Sequence, residues 1–244
     1  MSKKRQRNLG GIFTLIILFI IAVTVLLTIP VFNITSVTVT GNARLTEEEV
    51  LTVAAVPIGT NVYRISMNDV EKRLLAEPYI LTATAKRRFP ARVTITVTER
   101  EEAAAIRCNG GYAIIDKEGQ VLRLATDPED VMTVSGATVE TAQVGTPLTV
   151  KEQQFMDNYK TLLQELSKAD LQVELQSLWL DSINMVVETK NGLEIHLGGM
   201  DELPYKLQMC RNIMCGGYEG INRESSGVLK WTGEGQFSYR HHEN

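Results

Sequence analysis

The chain opens on an unbroken apolar block and then settles into short segments of alternating character. Leu9–Ile29 runs for 21 residues without a charge, and its only polar side chains are Thr14, Thr24 and Thr28. At about 1.5 Å per helical residue this block would span roughly 31 Å, close to one hydrocarbon core, which predicts a transmembrane helix over residues 9–29. Lys3, Lys4, Arg5 and Arg7 precede it, and the next charge after it is Arg44. That asymmetry predicts a short basic cytoplasmic tail at 1–8 and a type II orientation, with everything after Pro30 outside the cell membrane. The run is longer than the apolar core of a cleaved signal, and Leu27-Thr28-Ile29-Pro30-Val31-Phe32 offers no small-residue cleavage site.

Beyond Pro30 the period changes. Val37 and Val39 alternate with Ser36, Thr38 and Thr40, a strand pattern closed by Gly41-Asn42. Thr46 followed by Glu49 is a capping box, and Val50, Val53 and Ala54 form the stripe of the helix it opens. Gly59-Thr60-Asn61-Val62-Tyr63 reads as a connector. A second helix starts near Ser66, with Met67, Val70, Leu74 and Leu75 on one side and Pro78 beyond its end. Leu81, Ala83 and Ala85 alternate with threonines and Lys86. Val93, Ile95 and Val97 alternate with Thr94, Thr96 and Thr98, and Arg87-Arg88-Phe89-Pro90-Ala91 joins the two strands. The order β-α-α-β-β in about 70 residues predicts a small α+β domain.

This order resembles a POTRA domain, and more specifically the FtsQ/DivIB family of bacterial cell-division proteins. The matching segments are Val39-Thr40-Gly41-Asn42, Leu45-Thr46-Glu47-Glu48, Gly59–Tyr63, Pro78-Tyr79-Ile80, Arg87-Arg88-Phe89-Pro90 and Val93–Arg100. Glu102 stands where the family usually has a proline.

Residues 101–239 continue with short strands. Ala103–Cys108, Tyr112–Ile115, Gln120–Leu124 and Val131–Val134 are separated by turns at Asp116-Lys117-Glu118-Gly119 and around Pro128. Phe155, Tyr159, Leu162, Leu163 and Leu166 recur at helical spacing within a long helix predicted from Lys151 to Ala169. Leu175–Leu180, Asn184–Thr189 and Leu193–Leu197 read as strands, the last two joined by Asn191-Gly192, a strong hairpin signal. A helix over Leu203–Met214 is closed by Gly216-Gly217. A weakly alternating segment, Gly227–Tyr239, ends the ordered pattern, and 240–244 is a polar tail. This half resembles the family's β domain through Ile114–Val121, Val131–Gly136 and Lys190–Gly198. The expected architecture is therefore α+β: a single N-terminal transmembrane helix, a POTRA domain at 32–100 and a mixed β-rich second domain at 101–239.

Charge narrows the functions this chain can have. Four of its 25 basic residues fall in the first thirty, which carry no acid, leaving 21 against 29 acidic residues beyond. A net acidic balance speaks against nucleic acid and against adhesion to anionic lipid. Cys108, Cys210 and Cys215 are too few for a disulfide framework, and His196, His241 and His242 supply no close ligand set, so no cofactor or metal is expected. Asp116 reads as a turn residue, and His196 should point away from the face carrying Ile195 and Leu197. No nucleophile with a base, paired carboxylates or phosphate-binding loop is evident, so no enzymatic activity is expected.

The family resemblance implies a division-site scaffold that binds two small bitopic coiled-coil proteins, FtsB/DivIC and FtsL, and helps control septal peptidoglycan synthesis. It also implies that a partner strand pairs with the last strand of the β domain and touches the preceding helix. Carried over by position, the partner-binding residues are Val228, Leu229, Lys230, Trp231, Thr232, Tyr205 and Met209. Exposed strand edges offer a physical means, since an edge can accept a strand from another chain. The same argument supports an alternative, a membrane-tethered POTRA-type chaperone or export factor that holds extended polypeptides.

Overall fold

The computed structural model describes residues 3–171, 175–181, 183–217, 221–222, 224–233 and 235–241, with backbone alone for 3–9, 26–27 and 216–217. Of the polar tail expected at 240–244, Arg240 is instead the last residue of a strand and His241 is described, while residues 242–244 lie outside the described residues, as do the side chains of the basic residues ahead of Leu9. The described residues fall into two compact units that divide between Arg100 and Glu101.

The first unit begins with helix α1, Lys3–Thr28. The expectation of a membrane-spanning segment is overturned here, because no helix among the described residues is long and apolar enough to cross a membrane. The fold therefore reduces to a POTRA-type domain plus a β-rich domain, and the type II orientation drawn from the apolar run is left without its spanning helix.

A three-stranded sheet follows, built from β1 (Ser36–Thr40), β2 (Ile80–Arg88) and β3 (Arg92–Glu99) in the order β1-β3-β2. β1 runs parallel to β3, and β2 pairs with β3 antiparallel through the turn at Phe89-Pro90-Ala91. Helices α2 (Glu47–Ala54) and α3 (Met67–Leu75) cover one face. Val50, Ala54, Val70, Leu74, Val93, Ile95 and Val97 form the core beneath them, so alternation in the strands and the helical stripes meet at one layer. Thr46 and Glu49 form the expected capping box, the Thr46 hydroxyl accepting from Glu49 N–H and Thr46 N–H donating to Glu49 Oε2. At the other end of α2, the Arg73 guanidinium donates twice to Ala54 O, at 3.0 and 2.6 Å, and so satisfies an orphan carbonyl of the last turn. The Glu99 carboxylate receives the N–H groups of Ala43, Arg44 and Leu45 at 2.7–3.1 Å and fixes the loop ahead of α2.

The second unit is organised by a nine-stranded sheet. Its strands are β4 (Ala104–Cys108), β5 (Gly111–Ile115), β6 (Val121–Ala125), β7 (Thr133–Ser135), β10 (Leu175–Leu180), β11 (Met185–Thr189), β12 (Leu193–Gly198), β13 (Gly227–Gly233) and β14 (Gln236–Arg240). They lie in the order β14-β13-β12-β11-β10-β7-β4-β5-β6. A separate small hairpin, β8 (Val139–Thr141) with β9 (Thr149–Val150), was not anticipated from the pattern. Helix α4 (Phe155–Lys168) starts four residues later than predicted and buries Phe155, Tyr159, Leu162, Leu163 and Leu166. Helix α5 (Leu203–Asn212) adds Leu203, Leu207 and Cys210 to the same core, and passes into a π turn at Ile213–Gly217. Asp116 is a turn residue: its Oδ1 accepts from the N–H groups of Glu118 and Gln120 in the β5–β6 connection. His196 lies on the face of β12 opposite Ile195 and Leu197, with Nε2 3.2 Å from Glu194 Oε2.

Candidate partner-binding edge

The two ends of the large sheet differ. At β6 the main chain is covered, since Val121 N–H donates to Thr146 O and Gly145 N–H donates to Val121 O, both at 2.9 Å. At the other end, β14 pairs with β13 alone among the described strands, and its outer side is open.

The ladder shows which main-chain groups face outward. Gly227 N–H donates to Gly192 O, so the main-chain groups of residues 227, 229 and 231 point toward β12 and those of 228, 230 and 232 toward β14. Opposite Val228 and Lys230 sit Arg240 and Ser238. The N–H and C=O groups of Phe237 and Tyr239 are therefore directed away from the sheet, as on any edge able to accept a further strand.

Side chains beside this edge form an aromatic cluster. Trp231 and Phe237 are cross-strand partners with ring centroids 5.1 Å apart, and Tyr205 from α5 meets Trp231 edge-on at 6.1 Å. Tyr205 is 52% exposed, while Trp231 and Phe237 are half-buried. Lys206 is buried beneath them. Its ammonium donates to Gly199 O at 3.0 Å, lies 3.3 Å from Asp201 Oδ2, and sits 5.7 Å from the Trp231 ring centre. The fixed cation holds the indole by its face, an attraction strengthened by desolvation. Tyr239 is tied down separately, its hydroxyl donating to Ser226 O at 2.8 Å. Gly227 permits this corner: its φ is +134°, and a Cβ there would lie 2.5 Å from Arg240 O.

The seven residues expected to bind a partner are thus divided by the fold. Tyr205 and Trp231 come together in the cluster. Leu229 is sealed in the core, and Val228, Lys230 and Thr232 lie on the opposite face of β13. Met209 is half-buried on α5. The main chain of β13 is already paired on both sides, by β12 and β14. Sequence reasoning missed β14 itself, and with it Phe237, and missed Lys206. The available signal was Gly233 and Gly235, both at positive φ, which break the segment Gly227–Tyr239 into a hairpin.

Titratable groups of the second unit are set up for structure. Burial pushes the Cys210 thiol up to about 12, so it is protonated and unreactive at neutral pH. Burial, and then the charges of Asp116 and Glu118, raise Tyr159, whose hydroxyl donates to Asp116 O at 3.4 Å. Arg123 is raised chiefly by its paired hydrogen bonds to Glu102, at 2.9 and 3.1 Å, with a further pair to Glu129.

Residues 32–100 match the family model described as "POTRA domain, FtsQ-type". The chain is 25% identical over 219 residues to the cell division protein DivIB of Clostridium botulinum, covering 88% of this chain and 84% of that protein. It is 26% identical over 204 residues to DivIB of Clostridium tetani, covering 82% and 76%. The cell division protein FtsQ of Corynebacterium glutamicum is 30% identical over 109 residues, 45% of this chain and 49% of the relative. With the β-α-α-β-β order of the first unit and the β-rich second unit, these matches show a chain that carries an FtsQ-type POTRA domain at residues 32–100 and is similar over most of its length to the DivIB cell-division proteins.

Proposed function

We propose that this protein is a non-enzymatic scaffold of the division machinery. It acts at the division site, binds small bitopic coiled-coil division proteins of the FtsB/DivIC and FtsL type, and through them helps control septal peptidoglycan synthesis. The observation that carries this reading is the open edge of β14, with the main-chain groups of Phe237 and Tyr239 directed outward beside Trp231 and Tyr205. A partner segment would add as a tenth strand, held by main-chain hydrogen bonds. Selection would come from the aromatic cluster, since tryptophan and tyrosine in a well-packed patch are frequent binding hot spots.

Of the residues expected from sequence, Trp231 and Tyr205 remain the proposed side-chain contacts, with Met209 behind them. Val228, Leu229, Lys230 and Thr232 act through the hairpin that presents β14. The POTRA sheet is a poorer site for strand addition at β2, because Glu71 Oε1 already accepts from Ala85 N–H at 2.7 Å.

The test is recovery of the FtsB/DivIC-type partner by full-length protein carrying Trp231→Ala or Tyr205→Ala. Recovery is expected to fall at least about tenfold for Trp231→Ala, the loss of one hot-spot side chain. Undiminished recovery by both variants would remove the proposed site.

A further inference from the structure

The first domain carries its charge at opposite ends. At one end stand Glu47, Glu48 and Glu49 in the first turn of α2, together with Glu99 at the end of β3. At the other end stand Lys86, Arg87, Arg88 and Arg92 on the β2–β3 hairpin, and Arg64 on the neighbouring connector. Arg87 is committed to structure, its guanidinium donating to Val62 O and Ile65 O. Lys86, Arg88, Arg92 and Arg64 are exposed and have no acidic partner among the described residues. The acids nearest along α3 are Asp69, in its first turn, and Glu71, which holds Ala85 N–H.

Arg88 and Arg92 are direct cross-strand partners in the β2–β3 ladder. Like charges so placed are unfavourable to the sheet, and no acid among the described residues pairs with them. Between them the turn projects Phe89, which is 81% exposed. Other apolar side chains surround it at the same end. Phe32 packs 6.4 Å from Phe89 and 5.4 Å from Tyr63. Thr35 N–H bonds to Ala91 O, and Gly59 N–H bonds to Ile34 O, so exposed Val31 and Ile58 belong to segments joined to the hairpin by main-chain hydrogen bonds. A local sheet rule is broken and a large apolar side chain is left in water at one place.

We propose that this end of the POTRA domain docks onto the surface of an anionic phospholipid bilayer. Phe89 enters the headgroup region, flanked by Ile58 and Val31, while Arg88, Arg92, Arg64 and Lys86 lie against lipid phosphates. Basic residues beside an anionic surface and an apolar wedge are the two signals that together give stable peripheral binding. The acidic balance of the chain as a whole does not oppose this within the domain, because Glu47, Glu48, Glu49 and Glu99 stand at its far end, and charge effects fall off within about 10 Å in ordinary salt.

The full-length chain carrying Phe89→Trp, mixed with vesicles of brominated phosphatidylglycerol and phosphatidylcholine, tests this locally. Emission from Trp179 and Trp231 is subtracted using the chain with Phe89 intact. The expected result is blue-shifted, bromine-quenched emission from position 89 on anionic vesicles only, reversed by high salt. Adding Arg88→Glu with Arg92→Glu should lower the quenched fraction by about tenfold or more. Arg88→Gln with Arg92→Gln gives a smaller loss in the same direction and serves if the reversed pair does not fold. No quenching at position 89, equal quenching on neutral vesicles, or quenching untouched by either arginine pair would overturn the proposal. So would an acidic protein partner that occupies this end while vesicles leave position 89 unquenched.

Discussion

At the scale of single residues, the polar side chains that matter are those that close main-chain groups. Thr46 and Glu49 do so for α2, and Thr46→Ala is expected to cost the first domain about 1 kcal/mol, read from chemical denaturation. Three carboxylates share this character. Glu49 is held below its ordinary value of 4.5 first by Thr46 N–H and then by the Thr46 hydroxyl. Glu152 is lowered by Thr138 N–H, and Asp181 by the N–H groups of Ile183 and Asn184. Because their folded-state values are depressed, the stability they contribute is present above the ordinary carboxylate range and is lost as pH falls through the lowered values. The denaturation midpoint should therefore drop on acidification below about pH 4.5, and Glu49→Gln or Asp181→Asn should flatten that drop. A profile unchanged by either substitution would show that these bonds do not set the acid limit. The capping box was legible because its partners are three residues apart. The Glu99 clasp on Ala43–Leu45 was not, since more than fifty residues separate the carboxylate from the N–H groups it receives.

At the scale of elements, the contrast between the two domains follows from how completely each strand shows its period. Val93–Thr98 alternates without a break, and the structure buries Val93, Ile95 and Val97 as that pattern requires. Gly227–Tyr239 alternates weakly as one segment because a turn containing two glycines breaks the period between its two arms. The boundary between β13 and β14 is carried by conformation at Gly233 and Gly235 and not by hydrophobicity. Glu102 illustrates a different loss of legibility. It occupies the position where the resemblance leads one to expect proline, and in the fold it forms a two-bond pair with Arg123 across β6. Glu102→Ala should destabilise the second domain by about 1 kcal/mol, a modest figure because the pair is partly exposed, and this is measurable by urea unfolding. On the edge itself, Phe237→Pro removes an outward N–H without touching the β13 ladder. Compared with Phe237→Ala, it should weaken partner binding further while the circular dichroism of the chain stays the same. Equal binding by the proline and alanine variants would mean that main-chain pairing at β14 contributes nothing.

At the scale of the whole molecule, each unit has its own core. The apolar run at the start of the chain gave the clearest single reading in the sequence and is the one the structure overturns. Length and hydropathy can be counted along a chain, yet no helix among the described residues is long and apolar enough to cross a membrane. The site was legible only in part for a related reason. The resemblance pointed to Trp231 and Tyr205, which the fold brings into ring contact, but which strand is last in the sheet is a fact of topology. The central claim is that a division partner adds as a strand to β14. Residue-resolved hydrogen exchange of the full-length protein, alone and with its FtsB/DivIC-type partner, tests this most directly. The account predicts that the amides of Phe237 and Tyr239, which face outward in the isolated protein, become strongly protected in the complex. Unchanged exchange at those two amides in a saturated complex would contradict it.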